Sequence, residues 1–258
     1  MQEKYERLTD SQWQVMAEFL PVQRKRKLNL RDIVDAILWL DRVGSQWRNL
    51  PECFPSWKAV NYYFNRWRFD GTLVRMNIGL NMLRRIKEGR DPDPSLVCVD
   101  SQSVKAAPFI HHDRGVDGNK RVNGRKRQTL VDTLGLTWGV VVHAANESDS
   151  IFGAVLMIEL KGILKKVKKV LVDQGYRGQF MRVTEEHFGI KAEISSKPPS
   201  TKGFVPVKWR WVSERTFGWF NFFRRLSKDY ERTVENSEAW ILWANCQINI
   251  SKLSTIEK

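Results

Sequence analysis

The sequence has few cysteines and no long hydrophobic run, and both shortages limit the classes of protein it can belong to. Its three cysteines form no C-x-x-C pair and leave an odd thiol, which argues against a disulfide framework and suits a reducing compartment. The longest uncharged stretch, residues 133–146, has 14 residues and includes polar ones, whereas a bilayer span needs about 18 apolar residues. The opening MQEKYERLTD has no apolar signal region. We therefore expect a cytoplasmic protein rather than a secreted or membrane-spanning one.

Acidic residues are scarce relative to basic ones. The 258 residues include 43 Lys and Arg against 29 Asp and Glu, which gives a net charge of +14. Hydrophobic residues make up 42% of the chain, enough for one or two packed cores, so the excess charge does not indicate disorder. A positive charge of this size favours a polyanion as partner, and we expect association with the nucleoid.

Residues 1–88 have the periodicity of helices. Thr9 and Gln12 have the spacing of a capping box, and Ser56 is the predicted N-cap of a helix over residues 57–68. The polar face of that helix carries the predicted DNA contacts Lys58, Asn61, Asn65 and Arg68. Two short helices joined by a turn, the second with such a face, predict a helix-turn-helix-like domain that binds DNA. Periodicity alone leaves a second interpretation open, a small helical bundle with a solvated polar face.

A polar, proline-broken segment, EGRDPDPS at residues 88–95, predicts the boundary to a second domain over residues 95–258. The pattern there changes from helical to mixed. Short β-type runs precede an alternation of helices and strands, which predicts an α/β fold with a mixed sheet flanked by helices. The predicted strands are residues 96–99, 129–133, 137–143, 170–172 and 192–195, and the predicted helices are residues 151–164, 180–188, one from about 211 and a last one capped by Ser237.

Three acids occupy related positions in this predicted domain. Asp100 closes the first strand, Asp173 closes the fourth, and Glu214 lies in the first turn of the helix after the fifth. Taken singly, each has an ordinary structural explanation, since Asp often ends a strand and Glu in a first helical turn is stabilised by the helix dipole. Taken together, they could hold Mg²⁺ or Mn²⁺, because hard cations prefer carboxylate oxygens. Two such ions are suited to phosphodiester transfer.

The sequence resembles insertion-sequence transposases of the IS-five family, members of the larger DDE group with an RNase H-like catalytic domain. The resemblance runs from about residue 8 to residue 232, in six stretches that keep the family's order: LTDSQWQVMAEFLP, DIVDAILWLDRVGSQWRNLPECFPSWKAVNYYFNRW, VCVDSQSVK, GVDGNKRVNGRKRQTLVDTLGL, VLVDQGYRG and WVSERTFGWFNFFRRLSKDYER.

The resemblance implies that Asp100, Asp173 and Glu214 are the catalytic, metal-binding triad. It implies an enzyme that binds terminal inverted repeats, cleaves the ends and joins the 3′-hydroxyls to target DNA, acting as a homodimer on paired ends.

The chain departs from the group's signature, Tyr-x2-Arg-x3-Glu-x6-Lys, at two positions. Arg210 and Glu214 match it, whereas Val207 stands at the Tyr position and Asn221 at the Lys position. We assign the role of the missing cation, contact with a phosphate, to Arg225, three turns after Glu214. Arg210 and Arg224 are predicted DNA contacts as well.

A basic segment between the first two predicted strands, residues 105–127, contains several glycines and predicts a flexible loop that follows a DNA backbone beside the acids. The alternative is an ordinary solvated loop. The predicted contacts are Lys105, Lys120, Arg121, Arg125, Lys126 and Arg127.

Two other functions compete with transposition. One is an RNase H-like nuclease that hydrolyses DNA without strand transfer, and the helical domain and the basic segment argue against it. The other is a transposase-derived DNA-binding protein without catalysis, and the presence of all three acids argues against that.

Overall fold

The computed structural model describes residues 6–23, 27–195 and 210–253, and within them the chain divides into two compact units. The first unit contains the described residues up to Arg90, Phe222–Leu226 and those from Ala239 onward. The second contains Asp91–Asn221 and Ser227–Glu238. The change of unit after Arg90 falls inside the segment 88–95. The predicted domain over residues 95–258 includes two C-terminal segments that group with the first unit.

The first unit is helical. Its helices are α1 (Asp10–Ala17), α2 (Leu30–Val43), α3 (Trp57–Phe69) and α4 (Thr72–Lys87). The predicted capping box of α1 is present, because the Thr9 side chain accepts from the Gln12 amide and the Gln12 side chain accepts from the Thr9 amide. Ser56 stands at the N-cap of α3, but its side chain makes no capping hydrogen bond.

The connection between α2 and α3 is long for a helix-turn-helix. Gly44 ends α2 in the left-handed conformation, and a short 3₁₀ helix, Trp47–Asn49, interrupts the stretch that leads to α3. A helix-turn-helix turn usually has 3–4 residues. By contrast, α3 and α4 are joined by a tight turn at Asp70 and Gly71, where Gly71 has a φ of 75°.

Aromatic rings and amides from the C-terminal helix α8 (Val234–Leu253) complete the core of this unit. The ring of Trp240 stacks on Phe64 at a centroid distance of 4.4 Å, and both side chains are buried. The side-chain amide of Asn245 donates to Asn77 at 2.6 Å and to Asn81 at 3.0 Å. These contacts explain why the helical unit includes the end of the described chain.

The second unit contains a six-stranded mixed sheet. Its strands are β1 (Leu96–Lys105), β2 (Gly115–Asp117), β3 (Val122–Asp132), β4 (Thr137–Ala144), β5 (Lys169–Val172) and β6 (Lys191–Ile194). The strand order is β2-β3-β1-β5-β6, and β4 pairs with β3. Strand β3 is antiparallel to β1 and β4, whereas β5 and β6 continue parallel to β1.

Helices α5 (Asp149–Glu159), α6 (Gln179–Phe188) and α7 (Arg210–Phe220) accompany this sheet. The predicted mixed α/β architecture is therefore confirmed. Several predicted bounds were wrong. Strand β1 continues to Lys105 rather than ending at Val99, and β3 begins at Val122 rather than at residue 129. Helix α5 ends at Glu159 rather than at residue 164, and Ser237 lies inside α8 rather than capping it. Among the described residues, no helix combines the length and the apolar character needed to cross a membrane.

Candidate active site

Asp100 and Asp173 lie side by side on neighbouring strands. Strands β1 and β5 run parallel, with Cys98 opposite Leu171 in the last paired position. The two aspartates each follow two residues later, so they occupy equivalent positions where β5 ends. Side chains alternate between the two faces of a sheet, and residues two apart therefore share a face. This register brings together two of the three acids that were predicted to hold a metal ion.

A small pocket opens at this point of the sheet. Both aspartates line it, together with residues of β1 and β5 and two serines, Ser195 after β6 and Ser213 of α7. The other lining residues are Cys98, Val99, Leu171 and Val172. Burial, assisted by the nearby carboxylates of Asp100 and Asp132, raises the pKa of the Cys98 thiol to about 12. The thiol thus stays protonated at neutral pH, and the polar groups of the pocket are oxygen atoms.

Local backbone bonds fix both carboxylates. Asp100 accepts from the amide of Ser101 at 2.8 Å, and Asp173 accepts from the amide of Gly175, also at 2.8 Å. The second bond belongs to a one-turn 3₁₀ helix, Gln174–Tyr176, that begins directly after Asp173. Asp173 acts as its N-cap, a position that aspartate favours.

Glu214 lies on α7, which packs on the same strands. Val212, two residues before it, is fully buried in a cluster with Cys98, Val131 and Leu171. Glu214 itself is exposed, on the outer stripe of α7 with Trp211. Within the described part of the chain, no three His, Cys, Asp or Glu side chains are close enough to hold a metal ion. The structure therefore brings Asp100 and Asp173 together but does not gather all three predicted acids into one cluster.

Arg125, a predicted DNA contact, is instead a buried structural residue. Its side chain has no exposed surface and forms an ion pair with Asp229 at 3.2 Å. It also donates to the carbonyl oxygens of His112, Asp113, Glu231 and Arg232 and to the hydroxyl of Ser237. These partners belong to two separate segments of the second unit, so Arg125 links the two segments and is not available to DNA.

Lys126 and Arg127 are buried as well, which corrects two further predicted contacts. Lys126 is 8% exposed and donates to Asp149 at 3.2 Å and to the carbonyl of Glu147 at 3.0 Å. Arg127 is 2% exposed. The reason is the position of β3, which is paired on both edges in the interior of the sheet. The predicted flexible loop thus contains strand β2 and the first part of β3, and the buried cations lie in β3.

Other predicted basic contacts stay at the surface of the second unit. Lys105, Lys120 and Arg121 are exposed, and the ammonium group of Lys120 donates to the carbonyl of Ser101, the neighbour of Asp100, at 3.2 Å. These three residues therefore provide positive charge on the β1 and β2–β3 region that holds Asp100.

The predicted DNA-binding face of α3 belongs to the first unit. Lys58 is exposed, and Asn61, Asn65 and Arg68 are half-buried. The side-chain amide of Asn65 donates to the backbone and side-chain oxygens of Asn61, at 2.9 and 3.1 Å. The opposite stripe, Val60, Phe64 and Trp67, is buried as predicted.

Arg225 cannot replace the missing cation as predicted. Helix α7 ends at Phe220, so Arg225 is not on a continuous helical face with Glu214. It lies in the first unit, where it is 9% exposed, donates to the carbonyl of Ser45 at 2.8 Å and stacks its guanidinium on Trp240 at 4.3 Å. Its neighbour Arg224 is exposed. The side chain of Arg210 lies outside the described part of the structure.

Sequence reasoning missed the role of three polar residues near Asp173. The predicted site residues do not include Asp149, Gln128 or Tyr176. The structure joins them in hydrogen bonds, Gln128 to Asp149 at 2.7 Å and the Tyr176 hydroxyl to Gln128. The available signal was a Gln directly before the apolar end of β3, residues 129–131, since an amide that is buried there needs partners.

Two family models match this chain and together cover most of it. Residues 8–77 match the family described as "Putative transposase of IS4/5 family", and residues 91–249 match "Transposase DDE domain". The second match contains both aspartates of the pocket and Glu214.

Among curated proteins, the chain is similar to the "Uncharacterized protein y4sN" of Sinorhizobium fredii and to the "Putative transposase for insertion sequence element IS402" of Burkholderia cepacia. The first is 31% identical over 128 residues, 48% of this chain and 92% of that protein. The second is 30% identical over 132 residues, 48% of this chain and 62% of that protein. No solved structure gives a significant match. With the strand order of the second unit and the paired aspartates, these matches show that the chain belongs to the IS4/5 family of transposases and has an RNase H-like DDE domain.

Proposed function

We propose that this protein is a DNA transposase that binds the terminal inverted repeats of an insertion sequence, cleaves the ends and joins the freed 3′-hydroxyls to target DNA. The observation that carries the proposal is the pairing of Asp100 with Asp173 at the mouth of one pocket. Family membership supports the reaction class, and the basic surfaces of both units support DNA as the substrate.

The donor atoms around the pocket fit a hard divalent cation. Two carboxylates and the hydroxyls of Ser195 and Ser213 supply oxygen. We propose Mg²⁺ or Mn²⁺, as two ions, held by Asp100, Asp173 and Glu214. When bound, such ions polarise a phosphodiester and activate a water or a 3′-hydroxyl for attack.

The residues of the chain prepare the pocket for that chemistry. Two adjacent carboxylates repel each other and a DNA phosphate, so the pocket accepts a phosphodiester only when cations compensate their charge. The Gly175 amide holds one oxygen of Asp173 and so restricts the carboxylate to one orientation. Glu214, on the exposed stripe of α7, is the proposed third acid. Beside it, Arg215 is stacked between Trp211 and Trp219 at 4.4 and 4.7 Å, a rigid surface suited to a nucleotide.

DNA contacts are proposed on both units. The face of α3 with Lys58, Asn61, Asn65 and Arg68 would bind the inverted repeat. Lys105, Lys120 and Arg121 would bind phosphates near Asp100, and Arg224 and Arg210 remain proposed contacts. We further propose that two copies act together on paired ends and that the protein is associated with the nucleoid.

A plasmid assay tests the reaction. Supercoiled DNA that carries the gene's flanking repeats is incubated with the wild-type protein, with Asp173→Asn, or with Glu186→Gln, which removes an exposed negative charge from α6. We expect cleavage at discrete end positions by the wild type and Glu186→Gln in Mg²⁺ or Mn²⁺, joined products when target DNA is added, and no cleavage by Asp173→Asn.

The alternatives give different products. Cleavage without joined products would identify a nuclease. Equal inactivity of all three proteins, with the repeats still bound, would identify a DNA-binding protein and contradict the catalytic proposal.

A further inference from the structure

Asp149 is held by polar groups of β3 and not by the start of its own helix. It is the first residue of α5, where Ser148 is the N-cap and makes no side-chain capping bond. One oxygen of Asp149 accepts from the Gln128 amide at 2.7 Å, and the other accepts from Lys126 at 3.2 Å. Both donors are buried residues of β3. The carboxylate is thus fixed by a cation and an amide that cannot easily move.

The hydrogen bonds continue from Gln128 to the turn that follows Asp173. The side-chain oxygen of Gln128 accepts from the hydroxyl of Tyr176, and Tyr176 is the last residue of that 3₁₀ turn. The Tyr176 ring is 1% exposed and packs against Gly153 of α5 and Phe180 of α6. Ser150, next to Asp149, donates to the Tyr176 carbonyl at 3.4 Å and accepts from the Phe180 amide at 2.9 Å.

This chain of bonds ends at the carboxylate of Asp173. The amide of Gly175, immediately before Tyr176, donates to Asp173. A Cβ at Gly175 would lie 3.1 Å from that Asp173 oxygen and 3.6 Å from an oxygen of Asp149, so the two carboxylates border the same glycine. Movement of the Tyr176 hydroxyl would therefore shift the turn and, with it, the orientation of Asp173.

We infer that Asp149 is a positioning residue for Asp173, acting through Gln128 and Tyr176, and that Lys126 holds Asp149 in place. The inference rests on the proposed function, because it gives Asp149 a part in presenting Asp173 to a divalent cation. Partners one step removed from a metal ligand commonly change metal affinity or activity by 10–100-fold when they are mutated. We expect the removal of this chain of bonds to weaken metal binding about tenfold.

Two conservative variants test the inference with the full-length protein. Tyr176→Phe removes one hydroxyl and keeps the ring, and Asp149→Asn removes the charge and keeps the shape. Ser148→Ala, the neighbouring residue without a capping bond, is the matched control. The readouts are Mn²⁺ affinity by titration, the melting temperature in EDTA, and hydrogen exchange of the turn at residues 173–176 without metal.

We expect both variants to bind Mn²⁺ about tenfold more weakly than the wild type and Ser148→Ala, and their turn to exchange faster. The double variant should be little weaker than either single one, because both changes interrupt the same chain of bonds. A lower melting temperature with unchanged Mn²⁺ affinity and unchanged exchange of the turn would show a purely structural role and overturn the inference.

The experiment also separates this inference from the proposed function. If the wild type binds no Mn²⁺, the proposed function fails and this inference fails with it. If the wild type binds Mn²⁺ and all variants bind it equally, only the positioning role is contradicted.

Discussion

Helix α3 and strand β3 each carry a row of cationic and polar side chains, but they present them to different surroundings. On α3, Lys58 and Arg66 are exposed and one apolar stripe is buried. On β3, the consecutive residues Arg125, Lys126 and Arg127 are all buried, on both faces of the strand. A helix at the surface has one free face, whereas a strand in the middle of a covered sheet has none. A run of charge on a central strand therefore indicates internal ion pairs, and such pairs hold a fold together.

The contrast between β3 and α3 would be contradicted if removal of a buried cation of β3 cost no more stability than removal of a surface cation. Arg125→Met would leave Asp229, whose side chain is 1% exposed, without its cation. We expect this change to lower the free energy of unfolding by about 3–5 kcal/mol, the usual cost of removing one partner of a buried pair. Urea denaturation measures it. Lys105→Met, at an exposed position of β1, is the control and should leave the unfolding free energy nearly unchanged.

The pH dependence of stability tests a buried residue of β4, the strand next to β3. Burial, opposed by the Ala144 carbonyl and Asp149 and assisted by the charge of Lys126, lowers the pKa of His143 to about 4. The ring stacks on Phe152. The unfolded value is near 6.5, so His143 is neutral in both states above that pH, and the folded state loses stability only as the pH falls from 6.5 toward 4.

The shift corresponds to about 3 kcal/mol between those limits. His143→Gln should remove that part of the acid sensitivity and leave stability near pH 7 similar. Denaturation curves at pH 7, 5.5 and 4.5 measure it. Parallel pH profiles for the wild type and the variant would show that folding does not lower the pKa of His143.

The salt dependence of DNA binding tests the exposed cationic residues of α3. If Lys58 binds a phosphate, Lys58→Met should reduce the slope of log affinity against log salt by about 0.9, which is roughly a fivefold loss of affinity at 0.15 M salt. Binding of the inverted repeat is measured by fluorescence anisotropy at several salt concentrations. Lys165→Met, an exposed lysine after α5 with no predicted DNA contact, should keep the wild-type slope. Equal slopes for both variants would remove Lys58 from the interface.

The smallest effect is expected for an ion pair at the surface of the second unit. Lys166 contacts Asp91 at 2.8 Å, but the two side chains are 55% and 52% exposed. Because solvent screens such a pair, Lys166→Met should leave the denaturation midpoint unchanged within error, at both low and high salt. A clear loss of stability would mean that the exposed pairs of this protein behave like the buried pair of Arg125.

Local patterns were sufficient to predict much of the fold. The capping box of α1 and the apolar stripe of α3 each depend on neighbours within a few residues. The length of β1 was underestimated because the second half of the strand has a mostly polar sequence and is only partly buried.

The errors concern residues whose partners are distant in the sequence. The partners of Arg125 include Asp229 and Ser237, which are more than 100 residues away in the sequence. The sequence around Arg125 therefore does not indicate them. Arg225 was placed on the Glu214 helix because the apolar periodicity continues past Phe220, whereas the chain leaves the helix there and Arg225 stacks on Trp240. Burial of a charge depends on such long-range contacts, so position in a basic run alone could not predict it.

The C-terminal segments have a consequence for how the chain is made. Ser227–Glu238 provides the partners of Arg125, and the residues from Ala239 onward complete the helical unit. Neither unit can therefore complete its core until the last part of the chain has left the ribosome. We expect a fragment that ends at residue 228 to be digested by a protease that spares the full chain. A frameshift late in the gene would then disable the helical unit and the unit with the sheet in a single event.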